Sequence, residues 1–148
     1  MRRKSILTAV VMMLLFTTTK AQLREVPDVV EQAFAKQYAG ARDIDFKDHL
    51  LNVKVHFNLK DDKMIATYTN KGVWKESEKE WMFDHFSADV KDGFEKSKYA
   101  NWNITEAAIL YRPNNLELYR VRVVKNEVQK KYLVFNPKGR LLEESITL

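Results

Sequence analysis

Residues 68–78, YTNKGVWKESE, return in outline at residues 135–145 as FNPKGRLLEES. The shared skeleton is an aromatic, two turn residues, Lys-Gly, three further residues and Glu, repeated at a distance of 67 positions. Each phrase reads as the second half of a β-hairpin. In Asn136-Pro137-Lys138-Gly139, Asn suits the first turn position, Pro presets φ at the second, and Gly takes the position open to positive φ. Thr69-Asn70-Lys71-Gly72 offers the same chemistry without the proline. Strand-like runs flank both turns, over residues 64–69 and 73–78 in the first and 131–135 and 140–146 in the second.

The correspondence extends backwards. Val53, Val55 and Phe57 alternate with Lys54 and His56, as Tyr119, Val121 and Val123 alternate with Arg120 and Arg122, at an offset of 66. Ile44 and Phe46 match Ile109 and Tyr111 at an offset of 65, and Val30 and Phe34 match Val90 and Phe94 at 60. This drift places small insertions near residues 101–103 and 112–118, at turns, where a duplicated fold tolerates them. Val30, Phe34 and Tyr38 recur every four residues and share one helical face. Pro27 suits the first turn of that helix. Ser87 is a good N-cap for a second helix carrying Val90 and Phe94, although Gly93 inside it costs about 1 kcal/mol relative to Ala. Trp81, Phe83 and Phe86 make the connection too aromatic for a free linker and are expected to pack between the halves.

The expected fold class is therefore α+β: a two-layer, duplicated unit of one helix plus a four-stranded antiparallel sheet, with one side of the sheet covered by helices. The expected division is a signal peptide at residues 1–21, a first repeat at 22–80 and a second at 81–148, the two repeats packed as one unit.

Arg2, Arg3 and Lys4, an apolar run over residues 6–16, and small residues Thr19 and Ala21 before the cleavage point have the pattern of a secretory signal. The apolar run is short of the roughly 20 residues that a spanning helix needs. Export to the periplasm or beyond is expected, with no membrane anchor after cleavage. The chain has 25 basic and 20 acidic residues. Losing Arg2, Arg3, Lys4 and Lys20 with the signal leaves 21 against 20, so the basic character is a targeting feature and nucleic acid is not an expected partner. Cysteine is absent, which removes disulfides, thiolate chemistry and a lipid-modified cleavage site from consideration.

Motifs for catalysis are sparse. Four glycines give no phosphate loop and no Gly-x-Ser-x-Gly elbow. His49, His56 and His85 form no helical metal pair, and a zinc site of His49 or His56 with Asp61 or Asp62 is a weaker reading than solvated turns. Glu76, Glu78 and Glu80 alternate and share a face; interleaved with Lys75 and Lys79, they read as a solvated edge strand that resists unwanted pairing. Asp61-Asp62-Lys63 and Arg112-Pro113-Asn114-Asn115 read as hairpin tips. No catalytic residue, metal ligand or cofactor is expected.

The stretch VPDVVEQAFAKQYAGARDIDF, followed by an alternating strand and ATYTNKGVWKESE, resembles the PepSY-like, β-lactamase-inhibitor-like family of exported bacterial proteins. The resemblance covers the chain as two tandem repeats. The first keeps Val26-Pro27, Phe34, Tyr38, Ala39-Gly40-Ala41 and Lys71-Gly72; the second keeps Phe94, Tyr99, Val121 and Lys138-Gly139 but lacks the Val-Pro start. It implies helices packed on an antiparallel sheet with a concave face that receives another protein, and a binding role rather than catalysis. Inhibition of a β-lactamase does not carry over, because the shared residues are structural.

Period 2 identifies the face in question. With Val53, Val55, Phe57, Tyr119, Val121, Val123, Leu133 and Phe135 inward, the outward neighbours are Lys54, His56, Arg120, Arg122 and Tyr132, with Ile65, Thr67 and Val134 beside them. Arg, Tyr and aliphatic groups are what protein interfaces place at their centres. The sequence thus leads to an exported, monomeric, non-enzymatic binding module. Arg120, Arg122 and Tyr132 are its expected anchors and Lys54 and His56 its flanking contacts, docking on an envelope or secreted protein as inhibitor or regulator. The alternative is a periplasmic sensor of a small ligand or ion, bound between the two repeats near Trp81 and Trp102.

Overall fold

A computed structural model describes residues 25–147; the expected signal peptide at residues 1–21 lies outside the described residues. The elements follow in the order α1 (Asp28–Gln37), β1 (Arg42–His49), β2 (Asn52–Leu59), β3 (Asp62–Thr69), β4 (Trp74–Trp81), a 3-10 turn (Phe83–His85), α2 (Ala88–Glu95), β5 (Asn103–Arg112), β6 (Leu116–Val124), β7 (Lys130–Phe135) and β8 (Leu141–Ile146).

All eight strands form one antiparallel sheet in sequence order. This corrects the expected fold class of a duplicated helix plus a four-stranded sheet. The overturning contact is the pairing of β4 with β5, which runs from Ser77 opposite Tyr111 to Trp81 opposite Ala107. Two separate four-stranded sheets would leave backbone N–H and C=O groups unpaired along both of those strands; joining them satisfies both rows. Only β1 and β8 remain as edges, so β4 is not the solvated edge strand suggested by its alternating glutamates.

The strand register also corrects one offset. Phe46 lies across from Val55, whereas Ala107 lies across from Val121. The residue placed like Phe46 in the later hairpin is Ala107, four positions before the expected Tyr111. The extra length lies in the β5–β6 hairpin, whose strands have 10 and 9 residues against 8 and 8 for β1 and β2.

Both helices lie on the same side of the sheet. Val30 and Phe34 of α1 pack on Val53, Val55, Phe57, Met64, Ala66 and Tyr68. The Phe34 ring meets Phe57 edge to face at 4.9 Å, an arrangement that favours the ring quadrupoles. Val90 and Phe94 of α2 pack with Phe86 and Tyr99 on Val121, Val123, Leu133 and Phe135. Trp81, Phe83 and Phe86 belong to this second cluster rather than to a seam between the halves. α2 starts at Ser87, whose Oγ accepts from the Val90 N–H at 3.4 Å.

The doubled phrase folds into two closely similar turns. Gly72 N–H donates to the Thr69 carbonyl and Gly139 N–H to that of Asn136, each at 2.9 Å, with φ of 76° and 74° at the two glycines. The side chain opening each turn ties it down: Thr69 Oγ1 accepts from the N–H groups of Lys71 and Val73, and Asn136 Oδ1 from those of Lys138 and Arg140. A strand irregularity follows in both, leaving Tyr68 opposite Trp74 and Phe135 opposite Leu141.

Candidate functional site

The side of the sheet turned away from the helices has no element laid over it among the described residues. The strand register puts Lys54 and His56 of β2, Ile65 and Thr67 of β3, Glu76 and Glu78 of β4, Leu110 of β5, Leu118, Arg120 and Arg122 of β6 and Tyr132 and Val134 of β7 on this face. All five residues singled out from the sequence share it.

Their circumstances differ. Lys54 and His56 are exposed and make no side-chain hydrogen bond or ion pair among the described residues. Arg120 is committed: its guanidinium donates to Glu78 and lies 4.5 Å from the centroid of the Tyr132 ring, a cation–π arrangement. Arg122 donates to Glu106 at 3.2 Å, and the Tyr132 hydroxyl donates to the same carboxylate at 3.3 Å. Partial burial pushes the Tyr132 hydroxyl pKa up, and the negative charge of Glu106 adds to that. Arg120, Arg122 and Tyr132 are thus held in place by partners within the sheet, while Lys54 and His56 are not.

Sequence reasoning missed Arg112. It was expected in a hairpin tip, but it closes β5, and its guanidinium is held between Glu76 of β4 and Glu143 of β8. These are the two glutamates that close the repeated skeleton of the doubled phrase. Its hydrogen bond to Glu143 raises the Arg112 pKa further, and the same bond holds the Glu143 carboxyl below its ordinary value. β5 and β8 are three strands apart, about 14 Å in a flat sheet, so the Arg112–Glu143 pair crosses above β6 and β7. Leu110, Leu118 and Val134 form a small buried cluster on this face, flanked by Arg112 and Arg120, whose long aliphatic stems cover apolar neighbours. Val134, expected on the outward surface, is 5% exposed. The signal for Arg112 was its phase: it continues the two-residue alternation of Ala108 and Leu110.

Two hollows reach this face, one of about 850 Å³ that also takes in helix-side residues such as Trp81 and Phe83, and one of about 640 Å³, with Ile65, Glu78 and Arg120 lining both. Trp81 lines the larger, whereas Trp102 packs edge-on against Tyr99 at 5.1 Å and lines neither. The two tryptophans of the alternative reading therefore share neither hollow. No group of three metal-ligating side chains occurs among the described residues, and no helix among them is long and apolar enough to cross a membrane.

No family model matches this chain, and no curated protein matches it significantly. Solved structures do. A candidate periplasmic protein from Bacteroides eggerthii superposes with a TM-score of 0.72 at 22% identity, over 83% of this chain and 90% of that one. A DUF2874 family protein from Bacteroides ovatus gives 0.73 at 20% identity, over 83% and 89%. A BLIP-like protein from Bacteroides fragilis gives 0.72 at 21% identity, over 85% and 89%. At these identities the likeness is one of fold. It agrees with the inhibitor-like part of the resemblance read from the sequence, and does not extend to the PepSY-like part or to tandem repetition.

Proposed function

We propose that this protein is an exported, non-enzymatic binding module that docks through its open sheet face on an envelope or secreted protein, as an inhibitor or regulator. The observation that carries the reading is the state of that face. Arg120, Arg122 and Tyr132 are fixed by internal partners, and Lys54 and His56 stand exposed beside them. An ordered Arg and Tyr floor loses little conformational freedom on binding, which is where affinity is otherwise spent. The BLIP-like neighbour and the candidate periplasmic neighbour share the fold and support a binding role outside the cytoplasm. The pattern of residues 1–21 supports export independently.

The test is chemical crosslinking of the tagged mature chain in the intact cell envelope, followed by mass spectrometry. Lys54→Glu with His56→Glu alters the open face without removing an internal partner. Glu31→Lys with Lys36→Glu alters exposed positions of α1 on the opposite side. One dominant partner, lost from the first variant and kept by the second, is expected. A partner kept by the first and lost from the second would overturn the assignment of the face.

A further inference from the structure

The two hollows of the open face carry opposite charge. The larger is lined by Asp43, Glu80, Asp84 and Glu106 against Lys63, and the smaller by Lys54, Lys75 and Arg112 against Glu76. The Arg120–Glu78 ion pair belongs to both and forms the ridge between them. Its charges cancel. Glu106 is offset by Arg122, and Arg112 by Glu76 and Glu143, so the acidic excess on one side rests on Asp43, Glu80 and Asp84 against Lys63, and the basic excess on the other rests on Lys54 and Lys75.

Several of these charges are free to act outwards. The side chains of Lys54, Lys75 and Asp84 are exposed and have no ion pair or hydrogen bond among the described residues. Glu80 has only a 3.9 Å contact to Lys63, itself 75% exposed. Apolar residues with exposed side chains line each hollow: Met82 in the acidic one and Val73 in the basic one beside Pro113, with Ile65 at the divide.

We infer that the protein docked on this face presents a two-ended segment, cationic at one end, acidic at the other and apolar between, seated astride the Arg120–Glu78 ridge. The inference rests on the docking role proposed above and adds the chemistry of the partner. Neither hollow carries it alone. A segment of one charge throughout meets its own sign in one of the two, and like-charge juxtaposition is how interfaces reject wrong partners. The apolar middle covers Ile65 and excludes water around the ridge, where the charge contacts then strengthen.

The experiment is selection of random dodecapeptides displayed on phage against three folded forms: the unaltered protein, Lys54→Glu with Lys75→Glu, and Glu80→Lys with Asp84→Lys. All four positions are exposed, and circular dichroism verifies that each form is folded. On the unaltered protein, peptides with Lys or Arg at one end and Asp or Glu at the other should outnumber single-charge peptides about tenfold, equivalent to about 1.4 kcal/mol. The lysine variant should shift selection to wholly cationic peptides and the acid variant to wholly acidic ones. Enriched peptides whose charge order is the same on all three forms would overturn the inference and leave the docking role standing. No enrichment on any form over a blocked surface would overturn both.

Discussion

Gly93 of α2 and Gly139 of the last hairpin turn meet backbone to backbone. A Cβ on Gly93 would lie 1.9 Å from the Gly139 carbonyl oxygen, and one on Gly139 would lie 2.0 Å from the carbonyl oxygen of Asp89. The earlier turn stands in the same relation to α1, with a Cβ on Gly72 falling 2.7 Å from the Val29 carbonyl oxygen. Lys-Gly therefore recurs for two reasons: the turn needs positive φ, and a helix backbone rests on it. Gly93, a poor helix former by propensity, is required by that contact.

Propensity alone would make Gly93→Ala stabilising by about 1 kcal/mol. The contact reverses the sign, since the added methyl forces α2 off the turn, an overpacking change that costs about 2–3 kcal/mol. A lowered denaturant midpoint is expected. A raised one would show that α2 does not rest on the turn.

The Arg120–Glu78 pair is largely shielded, with side chains 17% and 23% exposed. Removing one partner leaves the other charge largely buried without its ion pair. Arg120→Ala and Glu78→Ala are each expected to destabilise by about 1–2 kcal/mol, and the double variant by less than the two losses added together. A double-mutant cycle in urea measures this, and strict additivity would contradict the pairing. For the same reason Arg120→Ala is a poor probe of docking, because it disturbs the floor as well as the surface.

Ser77 is fully buried and accepts hydrogen bonds from the hydroxyl of Tyr38 and from Trp74 Nε1, the latter at 2.8 Å. Ser77→Ala strands two donors at once and should cost about 2 kcal/mol. Trp74 emission should shift as its indole N–H loses its acceptor. An unchanged spectrum together with unchanged stability would remove Ser77 from its place as the shared acceptor.

Arg112 lowers the Glu143 pKa from its ordinary value of 4.5. A depressed carboxylate adds stability that is complete above the ordinary value and is lost as pH falls through the lowered one. Thermal melts of the unaltered protein and of Glu143→Gln should therefore differ at neutral pH, with the unaltered protein the more stable. The gap should close progressively once pH drops below about 4.5. A gap that persists or widens in acid would contradict the ion pair.

The local grammar was legible in the sequence. Alternation along residues 53–57 and 119–123 assigned the inward face, Ser87 marked a helix start, and each Lys-Gly marked a turn. What escaped was set by contacts between distant residues. Nothing near Trp81 or Ala107 announces that they pair, so one sheet was read as two. Glu76 and Glu78 looked solvated because their partners, Arg112 and Arg120, stand 36 and 42 residues further on. Periodicity also cannot tell a bare face from one crossed by ion pairs, so Val134, outward by parity, is nonetheless buried. The five candidate residues fell on one face because parity within a strand is a local property; their division into fixed and free members is a long-range one.

The most direct measurement places a photo-crosslinking amino acid at Lys54 on the open face, or at Glu31 on the opposite side, in separate exported chains irradiated in the living cell. A discrete protein adduct from position 54, absent from position 31, is the result predicted. An adduct from position 31 with none from position 54 would contradict docking through the open face.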